Sequence, residues 1–130
     1  MTDGAGFIGS NYVRQAISGD YPALADAHIL VLDKLTYAGV LANLDPVKDS
    51  PRLTFVRGDI CDQGLVDSLM AQVDQVVHFA AESHVDRSIE GAADFVMTNV
   101  VGTQVLLDGA GRGAHRACVG GAGEHRSACP

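Results

Sequence analysis

The chain has 130 residues, of which 47% are hydrophobic, so it is long enough for one globular domain or part of one. The formal net charge of −7 argues against nucleic acid as a partner, because phosphate binding needs a basic surface. No apolar run approaches the roughly 18 residues that span a bilayer, no charged-then-apolar leader is present, and three cysteines fit reduced thiols better than a disulfide framework. Together these features predict a cytoplasmic protein that does not bind membranes.

A glycine-rich turn, Gly4-x-Gly6-x-x-Gly9, stands near the start of the chain. Glycines at this spacing allow a tight turn, close approach of the backbone to a pyrophosphate and close packing of the following helix. A lone triplet of this kind is often only a turn. Here a helix is predicted to follow over about residues 7–18, closed by Gly19, and its first N–H groups would face the phosphates.

The next predicted element is a strand, His28 to Asp33, whose nearly continuous apolar run is typical of a strand covered on both faces. Asp33 ends this strand 24 residues after Gly9. That separation is close to the one expected for a carboxylate that binds the ribose diol of a dinucleotide. The alternative is that Asp33 only caps the turn after its strand, and we favour the ribose role because the glycine-rich turn precedes it.

Strands and helices continue to alternate through the rest of the chain. A loop with one helical turn is predicted at residues 35–45, and a connection is predicted at residues 46–51. Strands are predicted at residues 53–57 and 75–79, with a helix between them that Asp62 caps and that runs to about Val73. After a short helical turn at 84–89, a helix is predicted over 92–107, apolar on more than one side. Such a helix is either core alone or also an interface.

This alternation predicts an α/β fold, a Rossmann-like doubly wound parallel sheet. We expect the sheet to be incomplete, because only Met1 and Thr2 precede the glycine-rich turn and no strand pattern follows the last helix. We therefore divide the chain into a partial NAD-binding Rossmann domain at residues 1–108 and a tail at residues 109–130. The tail is rich in glycine and alanine, and we expect it to be disordered or aberrant.

Three segments carry a resemblance to a known family: residues 4–11, residues 33–39 and residues 79–89. The first segment is shared by the extended short-chain dehydrogenase/reductases, and the second and third together are specific to nucleotide-sugar 4,6-dehydratases. Over about residues 2–108, the chain resembles the N-terminal part of the dTDP-glucose 4,6-dehydratases. The resemblance implies an NAD-dependent lyase of deoxysugar biosynthesis, dTDP-glucose as its substrate, and a homodimer formed through the 92–107 helix.

The resemblance also implies which residues bind the cofactor and the substrate. Asp33 would bind the adenosine ribose, and its charge favours NAD over NADP because it repels a 2′-phosphate. The cofactor-binding set that it implies is Gly4, Gly6, Phe7, Ile8, Gly9, Asp33, Lys34, Leu35, Thr36, Asp59, Ile60, Phe79, Ala80, Ala81, Glu82, Ser83 and Thr98. Ser83 and His84 would border the sugar nucleotide.

Besides lacking the strand before the glycine-rich turn, the sequence departs from the family pattern in two respects. Asp3 stands where the superfamily usually has its first glycine, and a negatively charged side chain there would crowd and repel the pyrophosphate. The family's Thr-Asp-Glu triplet and Tyr-x-x-x-Lys pair do not occur in these 130 residues. We therefore name no catalytic residue and expect the chain alone to be inactive.

Other interpretations stay open at this point. The chain could belong to a related nucleotide-sugar epimerase, be a non-catalytic NAD-binding or dimerising module, or be a non-functional truncation. His78 lies in an apolar strand and is predicted to be a packed core residue. We predict no metal site, because no predicted helix or strand orients the four residues of ligand type in the tail. They are His115, Cys118, His125 and Cys129.

Overall fold

The structure is a computed structural model that describes residues 1–37, 39–81, 92–113 and 116–119. The chain divides into two compact units, Met1–Gly58 and Asp59–Pro130. Each unit contains a pair of parallel strands and at least one α-helix. Among the described residues, no helix has both the length and the hydropathy needed to cross a membrane.

The first unit consists of helix α1, Phe7–Ser18, and two strands, β1, Ile29–Asp33, and β2, Leu53–Arg57. The strands pair in parallel over their whole length. Two short 3-10 helices, Pro22–Leu24 and Leu41–Val47, lie in the connections. The residues before the glycine-rich turn also pair with β1, since Thr2 forms a parallel bridge with Leu32. They stand where the first strand of the predicted sheet is expected.

The core of the first unit lies where α1 packs against β1 and the second 3-10 helix. Val13 on α1 and Val31 on β1 are fully buried, and burying a side chain of this size contributes roughly 1.5–3 kcal/mol. Gly4 permits this packing, because a Cβ on Gly4 would lie 2.5 Å from Cγ1 of Val31. The buried cluster consists of Ala5, Val13, Ala16, Ile29, Val31, Leu44 and Val47.

The guanidinium of Arg52 forms hydrogen bonds both with the C-terminal end of α1 and with the segment between α1 and β1. It donates to the carbonyl oxygens of Leu24 at 2.6 Å and Ala27 at 3.0 Å, and to those of Ala16 and Ile17 at 3.3 Å each. The last carbonyls of a helix have no partner within the helix, so a cation there satisfies them and opposes the helix dipole. No pattern in the sequence indicates this role of Arg52.

The second unit begins with helix α2, Gln63–Met70, and strand β3, Gln75–His78. A long helical stretch follows, made of α3, Ala92–Val96, a π-helical segment, Met97–Gly102, and α4, Thr103–Gly113. Strand β4, Arg116–Val119, then pairs in parallel with β3. Helix α4 packs closely on α2 because Gly109 has no side chain, and a Cβ there would lie 3.1 Å from Cγ of Met70.

Most predicted elements are confirmed. Helix α1 and strand β2 have the predicted bounds, and Asp62 caps α2 by accepting a hydrogen bond from the backbone N–H of Leu65 at 3.0 Å. Gly19 ends α1 in the left-handed conformation, with φ of 91°. Helix α2 ends at Met70 rather than at about residue 73, and the 3-10 helix at Leu41–Val47 continues into the segment predicted as a connection.

The largest difference lies after the long helix. The sequence pattern predicts that this helix ends at residue 107 and that no strand follows, whereas α4 continues to Gly113 and β4 follows. A strand with Val119 as its one large aliphatic residue is too weakly apolar for a pattern to reveal it. The predicted turn at residues 84–89 and residues 120–130 of the tail lie outside the described residues, and the predicted division at residue 108 stays a prediction.

Candidate functional site

The glycine-rich turn brings the backbone into a tight loop immediately before α1. Gly6 occupies the N-cap position in an extended conformation, and its carbonyl oxygen accepts the first helical hydrogen bond from the N–H of Ser10 at 3.0 Å. The N–H of Gly6 donates to the carbonyl oxygen of Asp3 at 3.2 Å. Gly9 packs so closely beneath the turn that a Cβ there would overlap the same carbonyl oxygen. The tight turn and the close packing of the following helix are thus as predicted from the glycine spacing, while the approach of a pyrophosphate stays a prediction.

Asp33 lies at the carboxyl end of β1, beside this turn. Its side chain is only 4% exposed, and its Oδ2 accepts a hydrogen bond from the backbone N–H of Ala5 at 2.9 Å. Its Oδ1 accepts from the N–H of Leu35 at 2.7 Å. The sequence predicts that the carboxylate and the glycine-rich turn meet, and the structure brings them together through a direct hydrogen bond.

The carboxylate of Asp33 keeps acceptor capacity beyond these two bonds. An ionised carboxylate offers about four acceptor positions, and the two backbone N–H groups use one on each oxygen. The remaining positions suit hydroxyl donors such as those of a ribose diol. Asp33 thus caps the turn after its strand, as the alternative interpretation held, and the ribose role stays a prediction.

The loop after β1 closes back onto the glycine-rich turn. The carbonyl oxygen of Ala5 accepts from the N–H of Val40 at 3.1 Å and from Nδ2 of Asn43 at 2.9 Å. Gly39 passes close to Asp33, since a Cβ on Gly39 would lie 2.8 Å from Oδ1 of Asp33. The positioning roles of Asn43 and Gly39 were not predicted, because no local spacing in the sequence indicates them.

The predicted cofactor residues around Asp33 are mostly at the surface. Lys34 and Thr36 are exposed, while Leu35 is half-buried and adopts a left-handed conformation with φ of 55°. Phe7 and Ile8, in the first turn of α1, are 90% and 62% exposed. Large apolar side chains at this exposure are available for contact with a bound molecule.

The other predicted cofactor residues belong to the second unit. After β2, Oδ1 of Asp59 accepts a hydrogen bond from the N–H of Cys61, and Ile60 is buried against Gly102 of the π-helical segment. Phe79 and Ala80 are half-buried after β3, Ala81 is exposed, and Thr98 is half-buried in the π-helical segment. Glu82, Ser83 and His84 lie outside the described residues.

His78 is buried, as predicted for a core residue. Its Nε2 lies 3.1 Å from Oγ1 of Thr103 in α4. Burial lowers the pKa of His78 below its ordinary value of 6.5, because the charged ring loses hydration. This histidine therefore stays neutral near pH 7 and contributes to packing.

Parallel strands, a glycine-rich turn that leads into a helix, and a strand-end carboxylate at that turn define a Rossmann-type dinucleotide-binding fold. A family model described as GDP-mannose 4,6 dehydratase matches residues 1–119, and the chain belongs to this family. This match, together with the relatives and solved structures described next, confirms the resemblance that the three sequence segments indicate.

Relatives of this chain include two dTDP-glucose 4,6-dehydratases from Streptomyces. The protein from Streptomyces niveus is 57% identical over 112 residues, which cover 86% of this chain and 33% of the relative. The protein from Streptomyces antibioticus is 61% identical over 111 residues, which cover 85% and 32%. The chain therefore spans about a third of the length of the curated relatives that it matches.

Solved structures show the same likeness. The dTDP-glucose 4,6-dehydratase DesIV of Streptomyces venezuelae, crystallised with NAD bound, has a TM-score of 0.84 and 57% identity, covering 88% of this chain and 35% of DesIV. The dTDP-glucose 4,6-dehydratase of Bacillus anthracis, in complex with NAD, has a TM-score of 0.75 and 31% identity. The aligned region covers 99% of this chain and 42% of the Bacillus anthracis protein.

Proposed function

We propose that this chain is the cofactor-binding part of a dTDP-glucose 4,6-dehydratase, an NAD-dependent lyase that converts dTDP-glucose to dTDP-4-keto-6-deoxyglucose and water. The observation that carries the proposal is the hydrogen bond between Asp33 and the glycine-rich turn at Ala5, which supports ribose binding at Asp33 and phosphate binding at the turn. The relatives of high identity bear this enzyme name, which supports the choice of dTDP-glucose as substrate.

In this proposal the first unit binds the adenosine half of NAD. The Asp33 carboxylate accepts from the ribose hydroxyls in addition to its two backbone donors, and the N–H groups at the start of α1 face the pyrophosphate. Phe7 and Ile8 contribute their backbone there. The other proposed cofactor residues, taken from the resemblance, are Gly4, Gly6, Gly9, Lys34, Leu35, Thr36, Asp59, Ile60, Phe79, Ala80, Ala81, Glu82, Ser83 and Thr98. Ser83 and His84 are the proposed substrate contacts.

Bound NAD would supply hydride transfer to and from the sugar. The proton transfers of the reaction need acid and base groups, each typically worth 10²–10⁴-fold in rate. The 130 residues contain neither a Tyr-x-x-x-Lys pair nor a Thr-Asp-Glu triplet. We therefore propose that this chain binds and orients the cofactor but does not turn over by itself.

We further propose that the chain forms a homodimer through the helix at residues 92–107. Its support is a set of large apolar side chains that α3, the π-helical segment and α4 leave exposed. They are Phe95, Val96, Met97, Val100, Val101 and Leu107. A net charge of −7 gives no reason to expect nucleic acid as a partner, and the cytoplasmic location stays a prediction.

Calorimetric titration of the full chain with NAD tests cofactor binding. We expect one binding site, weaker binding of NADP, and a loss of about tenfold or more in NAD affinity in the Asp33→Asn variant, because an amide neither carries the charge nor accepts at both positions. Asp26→Asn, the same change at an exposed position, is the matched control. If the Asp33→Asn variant bound NAD as tightly as the unmodified chain, the ribose role would be refuted.

A second candidate function is a non-catalytic NAD-binding module, which the missing catalytic motifs favour. A dehydratase part and a non-catalytic module would both bind NAD, so the experiment that distinguishes them must include dTDP-glucose. We expect the NAD-saturated chain to yield no 4-keto sugar from dTDP-glucose and yet to bind it measurably if the chain is part of a dehydratase. If dTDP-glucose did not bind, the non-catalytic NAD-binding module would be favoured. If an epimer formed instead of a 4-keto sugar, the related nucleotide-sugar epimerase would be favoured.

A further inference from the structure

Asp3 carries its side chain into the space that Gly6 leaves open. A Cβ on Gly6 would lie 2.5 Å from Oδ2 of Asp3, 2.9 Å from its Cγ and 3.0 Å from its Oδ1. All three atoms of the Asp3 carboxyl group thus pack against the face of Gly6 that has no side chain. The backbone of Asp3 is also unusual, with φ of 56° in the left-handed region that favours glycine.

That space has a specific use in a dinucleotide-binding turn. The second glycine of the G-x-G-x-x-G pattern lets the backbone come close to the pyrophosphate, and in this chain the second glycine is Gly6. The start of a helix attracts anions through its unpaired N–H groups and its dipole. In α1 this position already has an anionic neighbour, since the carboxylate of Asp3 lies beside the N-cap residue.

We propose that Asp3 sets the affinity of this chain for dinucleotides by competing with the pyrophosphate for the open face of Gly6. The inference rests on the proposed NAD-binding function and deepens it. A pyrophosphate that approaches Gly6 must displace the Asp3 carboxyl group and meets its negative charge. The adenosine half of the ligand, which Asp33 recognises, is not affected because it does not enter this space.

The backbone conformation makes Asp3→Gly a clean test of this role. Glycine adopts φ of 56° without steric cost, and aspartate is among the few other residues that tolerate it. The variant therefore removes the carboxyl group and introduces a residue that can keep the backbone conformation of the turn. Asp3→Asn is the companion variant, because it removes the charge and keeps the size and shape of the side chain.

The experiment compares two ligands by calorimetry on the full chain and both variants. NAD has the pyrophosphate, whereas adenosine has the ribose and the base alone. We expect Asp3→Gly to bind NAD about tenfold or more tightly than the unmodified chain, since like charges at close range repel strongly in a partly buried site. Adenosine affinity should stay within about twofold, and Asp3→Asn should show part of the gain for NAD.

Ionic strength gives a second readout. Salt screens repulsion between exposed charges. A higher salt concentration should therefore reduce the difference in NAD affinity between the unmodified chain and Asp3→Gly. Equal NAD affinity in the unmodified chain and Asp3→Gly would overturn the inference and leave the proposed function standing. An equal gain for adenosine would overturn it too, because the effect would then not lie at the pyrophosphate. If neither chain bound NAD or adenosine, both proposals would be wrong.

Discussion

Asp33 is both a structural cap and a candidate ligand-binding group. Its two oxygens hold two backbone segments, the glycine-rich turn at Ala5 and the loop at Leu35. These bonds fix the orientation of the carboxylate before any ligand arrives, so little ordering remains to be done on binding. The same bonds make the site sensitive to changes in the loop that passes over it.

Gly39 offers the most direct test of that sensitivity. A Cβ there would lie 2.8 Å from Oδ1 of Asp33 and 3.1 Å from Cα of Leu35, so alanine must push the loop or the carboxylate aside. We expect Gly39→Ala to lower the free energy of unfolding by about 1–3 kcal/mol and to weaken NAD binding. Urea unfolding and calorimetry would measure the two effects.

The matched control for this prediction is Gly111→Ala. Gly111 lies within α4, and outside its own helix backbone no atom of the described residues lies within 4 Å of its would-be Cβ, so alanine should raise stability by up to about 1 kcal/mol through helix propensity. Destabilisation by Gly111→Ala as large as that by Gly39→Ala would show that the effect does not depend on crowding at Asp33.

The lowered pKa of the buried His78 predicts that the stability of the folded chain depends on pH. Burial lowers the pKa of His78 in the folded chain below 6.5, whereas the unfolded chain takes up a proton near 6.5. Stability is therefore full above the unfolded pKa and falls as the pH drops from there toward the lowered pKa. We expect His78→Gln to lose less stability than the unmodified chain between about pH 7.5 and 5.5.

Thermal unfolding at several pH values would check the His78 prediction. His28→Gln is the control, because His28 is exposed and its substitution should leave the loss of stability on acidification in place. An identical pH profile for His78→Gln and the unmodified chain would mean that other groups cause the acid sensitivity.

At the scale of elements, Arg52 connects parts of the first unit that the sequence does not visibly link. Its guanidinium donates to four carbonyl oxygens, and lysine cannot reach four acceptors with one compact ammonium group. We expect Arg52→Lys to cost about 2 kcal/mol of stability, since hydrogen bonds to charged groups contribute about 1.5–3 kcal/mol each and lysine keeps some of them.

Urea unfolding measures this cost, with Arg57→Lys as the control. Arg57 is exposed at the end of β2, and exchange of one cation for another there should change stability by less than about 0.5 kcal/mol. Equal, small effects at both positions would contradict the role given to Arg52.

The elements that sequence reasoning located share strong local signals. Helix α1 lies between a glycine-rich start and a glycine that ends it, β1 is a run of four aliphatic residues before Asp33, and α2 begins at a capping aspartate. What it missed depends on contacts between distant residues. Strand β4 is too weakly apolar to stand out and is defined by its pairing with β3. Arg52 and Asn43 act on carbonyl oxygens 25 or more residues away.

The candidate site also has one feature that the sequence predicts and one that only the structure shows. The meeting of Asp33 with the glycine-rich turn follows from the topology of a parallel α/β unit, which brings the end of a strand to the turn before the helix. The departure at Asp3 is visible in the sequence, but the face of Gly6 that its carboxyl group covers depends on the backbone conformation of the turn. Spacing alone does not give that orientation.

At the scale of the whole molecule, the exposed apolar side chains at residues 92–107 predict self-association. Val100 is 56% exposed, and Val96, one turn earlier, is exposed as well. Apolar surface of this kind is typical of an interface between subunits. We expect the chain to sediment as a dimer at about 10 μM, and Val100→Glu to be monomeric because a charge at the centre of an apolar interface is costly to bury.

Analytical ultracentrifugation of the unmodified chain, Val100→Glu and the control Gln72→Glu tests this prediction. Gln72→Glu introduces the same negative charge at an exposed residue outside the 92–107 helix, and we expect this variant to remain dimeric. Retention of the dimer by Val100→Glu would place the contact elsewhere on the molecule, and an unmodified chain that stays monomeric at every concentration would contradict the proposed homodimer. Circular dichroism of each variant separates loss of association from loss of folding, because a folded monomer keeps its helical signal.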